Sequence, residues 1–165
     1  MSPSSLFYIK FTLIFTLLLN SCGYELRTYS NSLSNKSFEF DAKSSFLNLE
    51  MENQLNSKGY FDSSVTPKTK ISIKVLDHVV ERYVGSTGSG ALTTQVRLDY
   101  KILYNLKINE AKEIQHIFED KSYIDFNQSD LLAFDKEEEI TKEDFIRKAI
   151  RNMEFVISAQ FNEIK

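Results

Sequence analysis

The side chains that could do chemistry in this chain are one cysteine, two histidines, a glycine-rich hexapeptide and several groups of charged residues. His78 and His116 stand far apart, with no cysteine near either. A metal site needs three or four converging ligands, so no metal and no cofactor is expected. Asp77 adjoins His78, but neighbours on a strand point to opposite faces. Each histidine therefore reads as a residue of a sheet surface or its edge. The segment Gly85-Ser86-Thr87-Gly88-Ser89-Gly90 has the composition of a phosphate loop. Such loops lead from a strand into a helix and continue to Lys-Ser/Thr. This one lies between two strand patterns, lacks that continuation, and reads as a hairpin tip. No serine sits in a Gly-x-Ser-x-Gly elbow. Asp135, Glu137, Glu138 and Glu139 could supply paired carboxylates, but a solvated cap ahead of a helix explains them more simply. No catalytic residue is assigned, and the chain reads as a non-enzyme.

Cys22 has the most informative surroundings. Residues 7–19 (FYIKFTLIFTLLL) are apolar except for Lys10 and two threonines. A helix needs about 20 apolar residues to cross a bilayer, so this run is too short for a span. A basic residue, a short apolar region and then small residues form the layout of a secretory signal. Leu19-Asn20-Ser21-Cys22 resembles a bacterial lipobox, with Asn20 where a small apolar residue is usual. In that motif the thiol is acylated, the chain is cut before it, and the new amino terminus is acylated too. One acyl chain anchors a protein only marginally, whereas several hold it on a membrane. Gly23 stands where an Asp is associated with inner-membrane retention. Sorted lipoproteins with this pattern imply the periplasmic face of the outer membrane. The expected organisation is a lipoprotein signal peptide at 1–21, a lipidated tether at 22–37 and one domain at 38–165.

Composition bounds the rest. At 165 residues, 42% apolar and 26% charged, the chain suits one globular domain. Its net charge of -3 argues against nucleic-acid binding through bulk positive charge.

The elements that position these residues follow from periodicity. A short strand is expected near 38–40. A helix is expected over 43–58, with Leu47, Met51 and Leu55 in one stripe, Phe46 beside them, Asp41 or Ser44 as cap, and Gly59 as stop. Residues 70–76 alternate, with Ile71, Ile73 and Val75 on one face, and the pattern continues through Val79 and Tyr83. Residues 93–108 are the clearest strand, with Val96, Leu98, Tyr100, Ile102, Tyr104, Leu106 and Ile108 on one face. Arg97, Asp99, Lys101, Asn105 and Lys107 lie on the other, with Leu103 the apolar exception. A third strand is expected over 113–126, bulged near Asp120-Lys121. The last helix is expected to start at Thr141, with Asp144 in the capping-box position, and to run about 34 Å behind an apolar stripe from Ile146 to Ile164. The order β-α-β-β-β-α predicts an α+β two-layer sandwich: a four-stranded, mostly antiparallel sheet with two helices packed on one face. On the polar face Arg97, Lys101 and Lys107 project, while Arg82, Lys121 and Lys136 stand at strand ends or loops. Such cations can be ordinary solubility, or can meet the phosphates of an anionic glycolipid.

The chain resembles the LPS-assembly lipoprotein family, LptE. The resemblance rests on Cys22-Gly23-Tyr24-Glu25-Leu26-Arg27, on the long strand after the glycine-bearing hairpin at 90–93, and on 118–126 leading through Asp130-Leu131-Leu132-Ala133 into an acidic helical end. It covers nearly all of the expected mature chain. It implies a non-enzymatic plug inside the lumen of a large outer-membrane β-barrel, the LPS-assembly protein LptD, that assists barrel assembly and binds lipopolysaccharide on its way to the outer leaflet. The polar face of the long strand suits a polar lumen. In that family, cations near the hairpin tip and before the last helix are associated with LPS. The tip at 85–92 has no Lys or Arg. Lys136 lies near the second region and is the lead candidate, with Lys121 and Arg97 as the others. Two further readings share parts of the pattern: an auxiliary lipoprotein of an ABC-type lipid transporter, and a periplasmic hydrolase built around His116.

Overall fold

A computed structural model describes residues 36–61 and 69–163. The expected signal peptide, the lipidation residue Cys22 and tether residues 22–35 lie outside them. Strand β1 (Lys36–Asp41) leads into helix α1 (Phe46–Ser57), followed by β2 (Thr69–Thr87), β3 (Thr93–Ile108), β4 (Ile114–Asp125) and helix α2 (Leu131–Glu163). The strands form one sheet in the order β1-β2-β3-β4. β1 pairs parallel to β2, as a strand returning through a crossover helix must, and the other two pairs are antiparallel. The expected α+β sandwich is the fold observed.

Period-two patterning builds β3 as expected. Leu98, Tyr100, Ile102, Tyr104, Leu106 and Ile108 are all buried against the helices. They meet Ile71, Ile73 and Val75 of β2, Met51 and Leu55 of α1, and Phe145, Ile146, Ala149, Ile150, Met153 and Ile157 of α2. Burying a side chain of this size is worth about 1.5–3 kcal/mol, so this layer holds the sandwich closed.

Local details depart from the sequence reading in four places. Ser45, rather than Asp41 or Ser44, caps α1, its hydroxyl accepting from Asn48 N–H at 3.2 Å. Ser45 is also the residue whose carbonyl accepts the first helical bond, from Leu49, so only its side chain is placed to cap. Gly59 ends that helix at φ 75°, as expected, but Phe46 is 62% exposed rather than part of the stripe. The expected bulge at Asp120-Lys121 is absent, because the β3–β4 register runs unbroken. The slip lies instead in β2, at Leu76, where Val75 pairs with Tyr104 and Asp77 with Leu103. Beyond it the alternation inverts: His78, Val80 and Arg82 face the helices, and Asp77, Val79, Glu81 and Tyr83 face the open side. His78 therefore leaves the sheet surface for the interior.

Helix α2 has 33 residues, a length of about 50 Å, and starts ten residues before the expected Thr141. Asp130 caps it, accepting from Ala133 N–H at 3.1 Å. The Thr141 hydroxyl instead donates to the Glu137 carbonyl within the helix, at 2.8 Å. The acidic run is thus helical, and Glu138 is only 2% exposed. It is no solvated cap: Arg82 of β2 donates to it at 2.8 Å, and Lys142 pairs with it from the next turn. This buried carboxylate ties the first half of α2 to the sheet.

Candidate functional site

Both helices pack on one face, so among the described residues the opposite face of the sheet is bare, and the β2–β3–β4 register sets its layout. Three rungs follow one another down the strands. Tyr83, Arg97 and Tyr123 lie side by side; then Glu81, Asp99 and Lys121; then Val79, Lys101 and Glu119. The next rung is apolar at its centre, with Leu103 between Asp77 and Ile117. Opposite charges meet along and across the strands. Arg97 pairs with Asp99 at 2.8 Å, Lys70 with Glu39 at 3.0 Å, and Lys74 with Asp41 at 3.7 Å. Six cations, Arg97, Lys101, Lys107, Lys121, Lys70 and Lys74, stand among seven carboxylates, Asp77, Glu81, Asp99, Glu119, Asp125, Glu39 and Asp41, so the two signs nearly balance with a slight acidic excess.

Arg97 is held from several sides. Its guanidinium lies 4.8 Å from the centre of the Tyr83 ring, a cation–π placement, and Asp99 grips it in two places, with a second contact at 3.0 Å. Desolvation works against its charge, but the bonds and charge of Asp99 outweigh that and hold its pKa above the ordinary value. The Tyr83 hydroxyl donates to Glu81, which pushes the phenol upward. Gly85 lets this corner close. A Cβ there would stand 3.2 Å from the Tyr123 ring and 3.1 Å from the Gln95 carbonyl. Beside this corner lies a depression of about 670 Å³, whose charged lining on this face is Asp77, Glu81, Asp99 and Glu119 against Lys101 and Lys121, while Asp120 borders it but turns its carboxylate to Lys148 of α2 at 2.9 Å.

The three cations read from the sequence divide between the two layers. Arg97 and Lys121 share the bare face, one register step apart. Lys121 lies within β4 rather than at a strand end, and among the described residues it forms no ion pair. Lys136 stands on α2, in the helix layer on the other side of the sheet. It pairs with Glu139 at 2.8 Å, which raises its pKa. Arg82, placed at a strand end by the sequence reading, lies within β2 facing the helices. The Asp77, Glu81 and Tyr83 contribution to the bare face was hidden by the slip at Leu76. The adjacent apolar pair Val75-Leu76, which breaks the alternation, was its one visible signal.

His116 lies on the edge strand β4 and stacks on Tyr104 with centres 5.7 Å apart. Its Nε2 stands 3.5 Å from Gln160 Nε2. Among the described residues Tyr104 and Gln160 are the side-chain partners of His116, and no carboxylate is hydrogen-bonded to it. Among the described residues no group of acidic, histidine or cysteine side chains is arranged to hold a metal ion.

A two-layer α+β sandwich, with one sheet face uncovered by the described residues, is the class that these elements define. Solved structures share it. The crystal structure of rare lipoprotein B from Shewanella oneidensis superposes with a TM-score of 0.62 at 15% identity, over 79% of this chain and 100% of that one. The solution structure of uncharacterized lipoprotein B from Nitrosomonas europaea gives 0.55 at 17% identity, over 85% and 93%. A minor lipoprotein from Acinetobacter baumannii gives 0.52 at 15% identity, over 78% and 94%. At these identities the likeness is one of fold. No family model and no curated protein sequence matches the chain.

Proposed function

We propose that this chain is a lipid-anchored protein of the outer membrane that plugs an LPS-assembly β-barrel of the LptD kind, assists its assembly, and helps pass lipopolysaccharide to the outer leaflet. The observation that carries the reading is the sheet face left uncovered by the described residues, on which cations and carboxylates intermix, in a fold that matches 79% of this chain to the whole of a structure named rare lipoprotein B. A face on which cations and anions alternate suits a polar, water-lined wall, where each side chain can find a partner. The lipobox at Cys22 supports a membrane anchor on the periplasmic side, and the start at 22–27 supports the LptE family. For lipopolysaccharide, Lys136 remains the lead contact. It is exposed and carries one surface ion pair, which is cheap to exchange for a phosphate. Arg97 would first have to leave Asp99, and Lys121 faces the acidic depression.

The test is affinity purification of the tagged full chain from native membranes, with its partners identified by mass spectrometry. One stoichiometric outer-membrane β-barrel is the expected result. Recovery as a lone monomer, or with an inner-membrane transporter, overturns the reading. For the glycolipid contact, Lys136→Asp should weaken LPS capture more than Lys74→Asp does, and equal effects would remove Lys136 from the site.

A further inference from the structure

Inside the sandwich a polar relay ties α1, which otherwise rests on the sheet largely by apolar packing, to the paired strands β2 and β3. The slip at Leu76 turns His78 inward, between α1 and β3. Its Nδ1 lies 2.6 Å from Asn48 Oδ1, and its Nε2 lies 2.7 Å from the Tyr100 hydroxyl. The Asn48 amide nitrogen donates to the Lys43 carbonyl at 2.8 Å, which fixes which end of the amide faces the ring. Asn48 Oδ1 can only accept, so the proton sits on Nδ1, and Nε2 accepts from the Tyr100 O–H. The relay is therefore complete only while the imidazole is neutral.

Protonation puts a hydrogen on Nε2, so the Tyr100 hydroxyl must turn to accept it and its own buried hydrogen is left without an acceptor among the described residues. Tyr100 is 1% exposed, and His78 is its one hydrogen-bond partner among the described residues. The titratable and charged groups around the ring are few. Tyr100 faces it from β3, Asp77 adjoins it on β2 but points to the bare face, and Lys43 borders it just before α1. From α2 the Phe145 ring stacks on Tyr100 at 5.2 Å, and no α2 side chain bonds the imidazole. No carboxylate is placed to pair with an imidazolium. A crevice of about 280 Å³ between the start of α1 and the bulge, lined by Lys43, Ser45, Asp77 and His78 among others, opens the ring to solvent protons.

We propose that Asn48, His78 and Tyr100 form an acid-released clasp: protonation of His78 parts the relay and frees the first turns of α1 from the sheet, while β3 and α2 stay packed. Burial favours the neutral ring and moves its pKa from 6.5 to about 4, with Asp77 opposing weakly. The clasp therefore holds above about pH 6.5 and weakens progressively as pH falls towards 4. If the opened ring regains its ordinary value, opening is about 30-fold more frequent at about pH 5 than at about pH 7.5.

Amide exchange of the full chain in detergent micelles, corrected for its intrinsic pH dependence, reads this directly. In the unaltered chain, amides near 48–51 should open about 30-fold more often at about pH 5, with β3 protection unchanged. His78→Gln can keep both hydrogen bonds without titrating, so its α1 should show no acid response. Asn48→Asp places a carboxylate against Nδ1, should keep the imidazolium paired, and should also abolish the response. If His78→Gln fails to fold, Asn48→Asp carries the comparison. The proposal is overturned by an α1 no more open in acid, by a response that persists in the variants, or by equal loss of protection across β3 and α2.

Discussion

Two buried tyrosines on the same face of β3 should respond in opposite directions to loss of a single oxygen. Tyr100 and Tyr104 are 1% and 0% exposed, and lie two rungs apart. The Tyr100 hydroxyl donates to His78 at 2.7 Å. The Tyr104 hydroxyl has no hydrogen-bond partner among the described residues, and burial pushes its pKa up to about 12. An unpartnered buried polar group costs about 1–3 kcal/mol, whereas a made hydrogen bond contributes about 1 kcal/mol net. Tyr104→Phe removes the first cost and keeps the ring stacked near His116, so it should stabilise by about 1 kcal/mol. Tyr100→Phe breaks a bond and strands His78 Nε2, so it should destabilise by about 1–2 kcal/mol. The two variants should then differ by about 2–3 kcal/mol, roughly 8 °C in melting temperature for a domain of this size. Guanidinium unfolding of residues 22–165 carrying Cys22→Ser, followed by circular dichroism at neutral pH, measures both. A Tyr104→Phe variant that loses more than about 1 kcal/mol, or equal losses from both substitutions, would refute the reasoning.

Other consequences follow from the same packing. Burial raises the Glu138 pKa, but the bonds and charges of Lys142 and Arg82 outweigh it and hold the carboxyl below its ordinary 4.5. Its stabilising contribution is therefore present above about pH 4.5 and lost as pH falls through the depressed folded value, so unfolding curves of the unaltered chain and Glu138→Gln should converge in acid. Arg82→Ala should cost about 2 kcal/mol against about 1 for Glu138→Gln, because it leaves a buried carboxylate with one cation; the figures are set below those for fully buried pairs because Arg82 is half exposed. Deleting Leu76 joins Val75 to Asp77, whose partners Tyr104 and Leu103 are already consecutive, so His78, Val80 and Arg82 should still face the helices and the variant should keep its near-ultraviolet dichroism. Cys22→Ser should move the protein from the membrane pellet to the soluble periplasmic fraction, which fractionation and immunoblotting would show.

How much of this was readable in advance depended on whether a pattern had one physical cause or two. β3 has one: a single buried face over its whole length, and its bounds match the alternation in the sequence. β2 has two, because its first half alternates in one phase and its second half in the other. A reader who extends the first phase places Val79 and Tyr83 inside and His78 on the surface. The start of α2 was hidden for a related reason. Asp135, Glu137, Glu138 and Glu139 look like a solvated entry to a helix, and only the Arg82 guanidinium across the sheet shows why one of the four is buried. That pairing joins residues 56 apart, a tertiary fact with no local trace.

The cations show the same limit in a form that bears on function. Type and spacing marked Arg97, Lys121 and Lys136 as groups able to meet phosphate. Whether a cation can do so depends on what already neutralises it. Arg97 is spent on Asp99 and Tyr83, and Lys121 looks across a depression where the carboxylates of Asp77, Glu81, Asp99 and Glu119 outnumber its two lysines. An anion approaching that face meets no net attraction, and any phosphate bound there would have to displace an ion pair and desolvate its partner. A polar protein wall faces no such barrier, since it can complement each rung with the opposite charge. Under the proposed function, the charge arithmetic of this face therefore suits a protein partner better than an anionic lipid, and a glycolipid contact would fall to the helix layer, where Lys136 has only one exposed carboxylate to give up.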